Sequence, residues 1–533
     1  MGPHADFFSR VRAAALCVLG GLLQAWSLAL PGSGDPSAIM QLAGMGLLMH
    51  QLQQAHDGRQ AAARVWLFAT VWLSATFWWL FTALHVYGGL PMGLAVAAVV
   101  ALAAALGFYH ALAGACFVWL KPAHPLAQAV LWGALWMMAE LARSVWFTGF
   151  GWGGIAYAHI DGWLVAWAPW LGAHGMHALL ASFCMGLYLT LSQLIFKAKA
   201  KDNSTFPTWV SAQRRSSWAL VFFLVVCLAP GIRSLWVEPT GWTQSTGEAS
   251  VTLLQGNIAQ DEKFEPGSGV PDALDWYGQQ LQAAKADVTI APETAIPLLP
   301  AQLPAAYWQS LQQRFASGTQ AALLGIPMGD FTRGYTNSVI GLSPAASYRY
   351  DKHHLVPFGE FIPPWFRWFT ELMHIPLGDF ERGGLNQPAM DWAGQRWGIN
   401  ICFEDLFGEE LAQRFAGDDG PTVFVNVSNI AWFGQSQAPD QHLAISRLRA
   451  LEFERPFVRA TNTGMTAVIN HRGQVLAQLP RFTRATLHAT VQGRQGTTAY
   501  VRWVSQWGLW PLWAWGLLVV AVCYHRRKRP EAP

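Results

Sequence analysis

The chain has 533 residues, of which 52% are hydrophobic and only 13% charged, about half the charged share of ordinary soluble proteins. That balance excludes a wholly soluble protein, and the length allows roughly two to four domains. The net charge of +3 is too small to argue for nucleic-acid binding, and the basic residues do not cluster as a patch that could track a phosphate groove.

Taken in chain order, the first 236 residues are oily. Apolar stretches long enough to suggest helical crossings of a bilayer fall at roughly 13–30, 37–54, 65–85, 92–119, 125–146, 173–196 and 217–236, with an eighth at 503–524. Gln24 and Gln41 interrupt the first two. The segment 147–172 is rich in Gly, Trp and Pro and reads as a loop whose Trp152, Trp163, Trp167 and Trp170 suit the headgroup level. Glu140 and Arg143, spaced i, i+3, can pair on one helix face; a mutually satisfied pair at the membrane surface is favoured over a headgroup contact.

Six of the 32 acidic residues precede position 237, and one, Glu531, lies in the tail. The expected organisation is therefore a membrane domain at 1–236, a water-soluble body at 237–502, a last span at 503–524 and a basic tail at 525–533. Basic residues fall in alternate connections: Arg10 and Arg12; Arg59 and Arg64; Lys121; Lys197 through Arg215; and His525 through Arg529. With eight spans, all lie on one side, which the positive-inside rule makes the cytoplasm. Both termini are then cytoplasmic and the body lies outside.

The body alternates short β-branched runs with amphipathic ones. Strands are expected at 250–256, 286–291, 321–326, 336–342, 396–402, 422–428, 457–461 and 465–470, and helices at 271–285, 302–316 and 440–454. The strands are mostly apolar, so the expectation is an α/β domain whose sheets are covered by helices. Five of the six cysteines sit in apolar stretches, leaving Cys402, after a β-like run, as the one thiol of the body. Glu293 and Lys352 also follow strand ends, where α/β sheets build sites. A thiol attacks only as thiolate and needs a base or nearby cation. Glu293 could take the proton, Lys352 could hold an oxyanion, and Glu360 or Glu404 could steady Lys352. A small buried core residue is the plainer reading of Cys402 taken alone.

Pro292-Glu293-Thr294-Ala295, Lys352 through Glu360, and Ile401-Cys402-Phe403-Glu404 resemble the Glu-Lys-Cys motifs of the nitrilase (carbon–nitrogen hydrolase) superfamily. Gln255-Gly256-Asn257-Ile258, Asn426-Val427-Ser428-Asn429, Ala431-Trp432-Phe433-Gly434, Gln441-His442, Arg449 through Glu452 and Arg459 through Gly464 extend the resemblance to the apolipoprotein N-acyltransferase family over nearly the whole chain. The resemblance implies a polytopic helical membrane domain of about eight spans with an α/β nitrilase-like αββα sandwich. It implies a bacterial inner-membrane enzyme with a periplasmic catalytic domain. Such an enzyme takes an acyl chain from a phospholipid, usually phosphatidylethanolamine, onto a cysteine as a thioester. It then passes the chain to the α-amino group of a diacylglyceryl-cysteine at a lipoprotein N-terminus. It further implies Cys402 as nucleophile, Glu293 as base, Lys352 as oxyanion stabiliser and Glu360 and Glu404 as supporting carboxylates, with no metal or organic cofactor and a monomeric state.

Phe403, Trp432, Phe433 and His354 are candidates for contacting substrate, with core packing or loop structure as the alternative. His353, His354 and His442 invite catalytic roles, but loop or headgroup-facing structural histidines are the favoured reading, since the triad already supplies base and cation. Where the family often has Tyr after the nucleophile, Trp in the arm after Gln-Gly-Asn-Ile and Asp after Val-Ser-Asn, this chain has Phe403, Phe264 and Ile430. The rival expectations are a membrane-tethered amidase, in which water resolves the thioester, and a transporter or receptor that has no need of Cys402.

Overall fold

The computed structural model describes residues 3–200, 210–233, 241–330, 332–345, 347–362, 380–417 and 420–528. The boundary expected at 236 and the residues Lys201, Arg529 and 530–533 lie outside the described residues. The chain divides into two compact units: one comprises Met1–Trp78, Val96–Thr240 and Leu509–Pro533, the other Trp79–Ala95 and Gly241–Gly508.

The first unit is helical. Helices occupy Pro3–Trp26, Ala38–Gln53, Gly58–Thr76, Met92–Leu120, Pro125–Val145, Ala168–Ala200, Val210–Arg233 and Trp510–Lys528. The apolar stretches largely coincide with these helices, although the one at 65–85 breaks after Thr76 and the one at 503–524 breaks after Trp507; among the described residues only three helices are long and apolar enough to cross a bilayer by themselves. A fourth span results if Ala499–Trp507 and Trp510–Lys528, bent by 90°, count as one. The reason lies in composition: Ala38–Gln53 has 16 residues and buries Gln41 and Gln51, and Pro125–Val145 carries Glu140 and Arg143.

Those two charges form the mutually satisfied pair expected, and they do so inside the protein. Both are fully buried, paired at 2.7 Å, with His110 Nε2 at 3.1 Å from the other carboxylate oxygen. Arg143 also donates to the carbonyls of Phe150 and Trp152 at 2.7 and 2.8 Å, so the pair holds the Gly-rich loop that follows its helix. Trp152 is buried within the protein, while Trp163 and Trp170 are exposed.

The second unit contains two six-stranded sheets. One has the order β12-β1-β2-β3-β4-β5, the other β11-β10-β9-β8-β7-β6. The strands are β1 Thr243–Gln255, β2 Val288–Ile290, β3 Ala321–Asp330, β4 Gly334–Leu342, β5 Tyr348–Asp351, β6 Met390–Trp392, β7 Gln395–Ile401, β8 Val423–Ser428, β9 Phe457–Thr461, β10 Ala467–Ile469, β11 Val475–Gln478 and β12 Ala485–Gly496. In each sheet the centre is parallel (β1-β2-β3 and β7-β8-β9) and the edges are antiparallel.

Val251, Leu253, Ile290 and Leu323 of the first sheet share one dry core with Trp397, Ile399, Val425 and Val458 of the second. The outer face of the first sheet is covered by helices Gly269–Gln282 and Ala305–Phe315 through Tyr277, Leu281, Leu311 and Phe315. The second sheet carries the almost wholly buried helix Ala438–Phe453. The result is a helix–sheet–sheet–helix sandwich with the parallel strands buried on both faces, which is why they read as continuous apolar runs. β12, which pairs with β1 over twelve residue positions, was absent from the sequence expectation because its half-exposed residues Ala485–Gly496 are largely polar.

Candidate active site

Glu293, Lys352 and Cys402 each follow the end of a strand: β2, β5 and β7 respectively. Glu293 sits in the turn after β2, and Thr294 beside it takes φ 45°. Gly325 of β3 packs directly against this turn. A Cβ there would come within 2.8 Å of Thr294 N and 2.9 Å of the Glu293 Cα, so the close approach requires glycine. Non-glycine residues at positive φ also mark the other site segments: Asn257 (48°), Phe358 (63°) and Cys402 itself (56°). Such strained backbone persists only where surroundings over-determine it.

The bonds around Cys402 supply that restraint. Its carbonyl accepts from Asn426 Nδ2 at 2.7 Å and His442 Nε2 at 3.2 Å. His442 is in turn paired with Asp405 at 2.9 Å, and Arg459 lies against both. His442 is thus part of a brace behind the nucleophile's backbone.

Lys352 Nζ lies 2.9 Å from Glu360 Oε1 and 3.2 Å from Glu293 Oε1. Asn337 of β4 bridges the same two oxygens, with its Nδ2 at 2.7 Å from each. The remaining oxygen of Glu293 accepts from the Asn429 amide at 2.7 Å, and that of Glu360 from the Val356 amide at 2.8 Å. Glu404 does something different from what the sequence suggested. Its carboxylate accepts from the amides of His353 (2.7 Å), His354 (3.0 Å) and Ile401 (2.6 Å) and from the Tyr350 hydroxyl (3.0 Å). It ties the backbone beside Lys352 to the backbone beside Cys402, while Glu360 pairs with the ammonium directly.

Burial opposes every charge here, and the charges answer one another. Burial would raise the Glu293 carboxyl, but Lys352, the Asn337 amide, Lys263 and the Asn429 N–H together hold it below the usual carboxylate range. Burial would discharge Lys352, yet Glu293 and Glu360 outweigh it and push its ammonium up. Burial, reinforced by Glu293, pushes the Cys402 thiol well above the ordinary cysteine value despite Lys352. At neutral pH the resting set is therefore carboxylate, ammonium and neutral thiol.

Among the other candidates, Phe403 packs edge-on against His354 (5.3 Å) and Phe407 (5.5 Å), with Lys352 Nζ 5.6 Å from its ring centre. His354 stacks on Phe407 and pairs with Glu410 at 2.9 Å. Trp432 and Phe433 occupy a short turn after β8 and pack on Tyr87 (5.9 Å) and Trp79 (4.2 Å). Trp79 donates to Gln441 Oε1 at 3.1 Å.

Sequence reasoning missed Lys263, Asn337 and Asn429 as site groups. Lys263 is 2% exposed and donates to the Glu293 carbonyl at 3.0 Å. Its one available signal was position, eight residues after Gln255 in the Gln-Gly-Asn-Ile segment. Ile430 is buried, and Phe264 lies 5.9 Å from Lys263 Nζ. No group of three or more His, Cys, Asp and Glu side chains suited to a metal occurs among the described residues.

A buried Glu and Lys pair beside a partly exposed Cys is suited to acyl transfer through a thioester. Comparison with known families agrees in both units. Residues 250–500 match the carbon-nitrogen hydrolase family, and residues 20–186 match the apolipoprotein N-acyltransferase N-terminal domain. An apolipoprotein N-acyltransferase of Verminephrobacter eiseniae is 51% identical, covering 92% of each chain. One from Ralstonia nicotianae is 40% identical over 98% of this chain and 94% of its own. A solved CN-hydrolase superfamily protein from Xanthomonas campestris is 18% identical with a TM-score of 0.36, covering 49% of this chain and 96% of its own.

Proposed function

The chain belongs to the apolipoprotein N-acyltransferase family, and from that premise we propose how Glu293, Lys352 and Cys402 perform the transfer. The enzyme moves an acyl chain from a phospholipid to the N-terminal amino group of a diacylated apolipoprotein, in two half-reactions. In the first, the Cys402 sulfur attacks the ester carbonyl while its proton passes to the Glu293 carboxylate. Lys352 stabilises the oxyanion of the tetrahedral adduct. Collapse breaks the ester C–O bond, and Glu293 returns the proton to the leaving alkoxide, releasing a lysophospholipid and leaving a thioester. In the second, Glu293 takes a proton from the acceptor amine as its nitrogen attacks the thioester. The C–S bond breaks, the sulfur recovers the proton, and an amide is formed.

The observation that carries this reading is the Lys352 ammonium held between two carboxylates, in the same buried charge set as the Cys402 thiol. A fixed cation with no freedom to discharge is suited to an oxyanion, and a carboxylate held ionised is suited to accept the thiol proton. Glu360 and Glu404 support the site, the first through the ammonium and the second through the backbone. Phe403, His354, Trp432 and Phe433 are the residues this reading assigns to contact with the acyl chains.

The finer reading has phosphatidylethanolamine as donor, a monomer as the working unit, and eight spans. It places the membrane domain at 1–236, the catalytic domain at 237–502 in the periplasm, the last span at 503–524 and both termini in the cytoplasm. Alternation of the five basic segments supports this orientation. The test is mass spectrometry of the purified full chain after incubation with phosphatidylethanolamine in detergent micelles. An acyl adduct on Cys402 that is absent in Cys402→Ala is expected. Undiminished transfer to a diacylated lipopeptide by Cys402→Ala excludes the covalent route.

A further inference from the structure

Lys352 is not the only lysine at the base. Lys263 reaches Glu293 from a different element, the segment that follows β1. This segment is stitched to the site at several points. The Asn257 amide donates to the Asn462 carbonyl at 2.8 Å, and Ile258 and Asn462 exchange bonds at 3.0 and 2.8 Å. Asn429 joins the segment to the base: its side chain donates to Gln260 Oε1 at 2.8 Å, and its amide donates to Glu293 Oε2 at 2.7 Å. Lys263, 2% exposed, completes the set with its 3.0 Å bond to the Glu293 carbonyl.

A neutral donor would satisfy a carbonyl without burying a charge, which is costly unless an opposite charge lies nearby. That opposite charge is the Glu293 carboxylate. We propose that Lys263 is a positioning residue for the base: it fixes the backbone of Glu293 and supplies a second positive charge that favours the ionised carboxylate and the developing thiolate. This inference rests on the reading of Glu293 as the base.

The two lysines are electrostatically unlike. Lys352 is clamped by Glu293 and Glu360. Burial draws Lys263 down to about 7, against the pull of Glu293 and Cys402. The charged groups facing Glu293 are therefore Lys352, Lys263 and, across Lys352, Glu360, with Cys402 as the titratable neighbour. On the segment of Lys263 itself, Asp261, Glu262 and Glu265 are exposed to solvent. At acid pH, where Glu293 titrates, Lys263 is fully charged, so its removal acts there at full strength. Loss of a nearby cation raises a carboxyl pKa, by about one unit or more for a close pair.

The experiment is the pH profile of Cys402 acyl-adduct formation, with phosphatidylethanolamine in detergent micelles as donor. It compares wild type with Lys263→Met, Lys263→Gln and Lys263→Arg. Both neutral variants should move the acid limb upward by about one pH unit, making adduct formation about tenfold slower at a pH on the wild-type limb. Lys263→Arg should leave the limb near its original place. Lys263→Gln keeps a donor for the Glu293 carbonyl, so a neutral variant remains measurable if Lys263→Met loosens the site. A limb that stays in place in both neutral variants, even with a uniformly lower rate, overturns the inference and makes Lys263 a packing residue. If wild type itself forms no adduct, the proposed function fails and this inference with it.

Discussion

At the scale of single residues, the site pits burial against charge, and the winner differs from group to group. For Lys352 the two carboxylates win; for the Cys402 thiol burial wins, with Glu293 adding to it. The thiol is partly accessible yet surrounded by protein polar groups. Because its pKa is raised, its thiolate fraction at neutral pH is smaller than that of a free cysteine, whose pKa is about 8.5. Iodoacetamide should therefore alkylate Cys402 more slowly than free cysteine at pH 7, with the rate still rising above pH 9. Peptide mapping of the alkylated protein checks this, and faster labelling than free cysteine would mean a thiolate at rest. Glu293 behaves oppositely. Its folded pKa is depressed, so its contribution to stability is present above the unfolded value of about 4.3 and is lost as pH falls through the folded one. The nucleophile, the base and the cation of the proposal were legible from their motifs. Asn337 was not, because nothing in its local sequence distinguishes a polar residue that turns inward from one that faces water; Asn429 and Lys263 lay in or just after family motifs, but those motifs carried no sign of a contact with Glu293.

At the scale of elements, Glu404 illustrates how one side chain coordinates two strand ends. Its carboxylate gathers the amides of His353, His354 and Ile401 and the Tyr350 hydroxyl, so the loop after β5 and the turn after β7 keep a fixed separation. In Glu404→Gln, the amide nitrogen replaces one acceptor and meets donors instead. Thermal unfolding should show a loss of about 1–3 kcal/mol, the cost of leaving buried donors unpaired. Adduct formation should fall as well. Unchanged stability and turnover would show that the two loops hold their geometry without it. The sequence placed the core strands correctly, since buried parallel strands are apolar throughout. It missed β5, β6, β11 and β12, which lie toward the sheet edges, where half-exposed strands carry polar residues.

At the scale of the whole molecule, two compact units share one chain, and a short piece of the N-terminal half, Trp79–Ala95, belongs with the sandwich rather than the helices that flank it. Trp79 and Tyr87 meet Phe433 and Trp432 there, a grouping that composition could not reveal in so apolar a stretch. The topology proposed from loop charge is tested by a reporter that is active only in the periplasm, fused near residue 480. Activity there is expected; silence, with the same reporter active after the tail, would invert the orientation.

By itself the sequence determined the division into oily and polar regions, the apolar strands of the sandwich and the short motifs that carry thiol, carboxylate and ammonium, because periodicity, composition and contiguous motifs are local properties. The tertiary structure alone decided that Glu293 and Glu360 both grip Lys352, that Glu404 binds backbone instead, that Glu140 and Arg143 are buried, and that a second lysine reaches the backbone of Glu293. Hydrogen bonds and burial between residues tens to hundreds of positions apart are fixed by how strands register and sheets stack, and no local pattern records them.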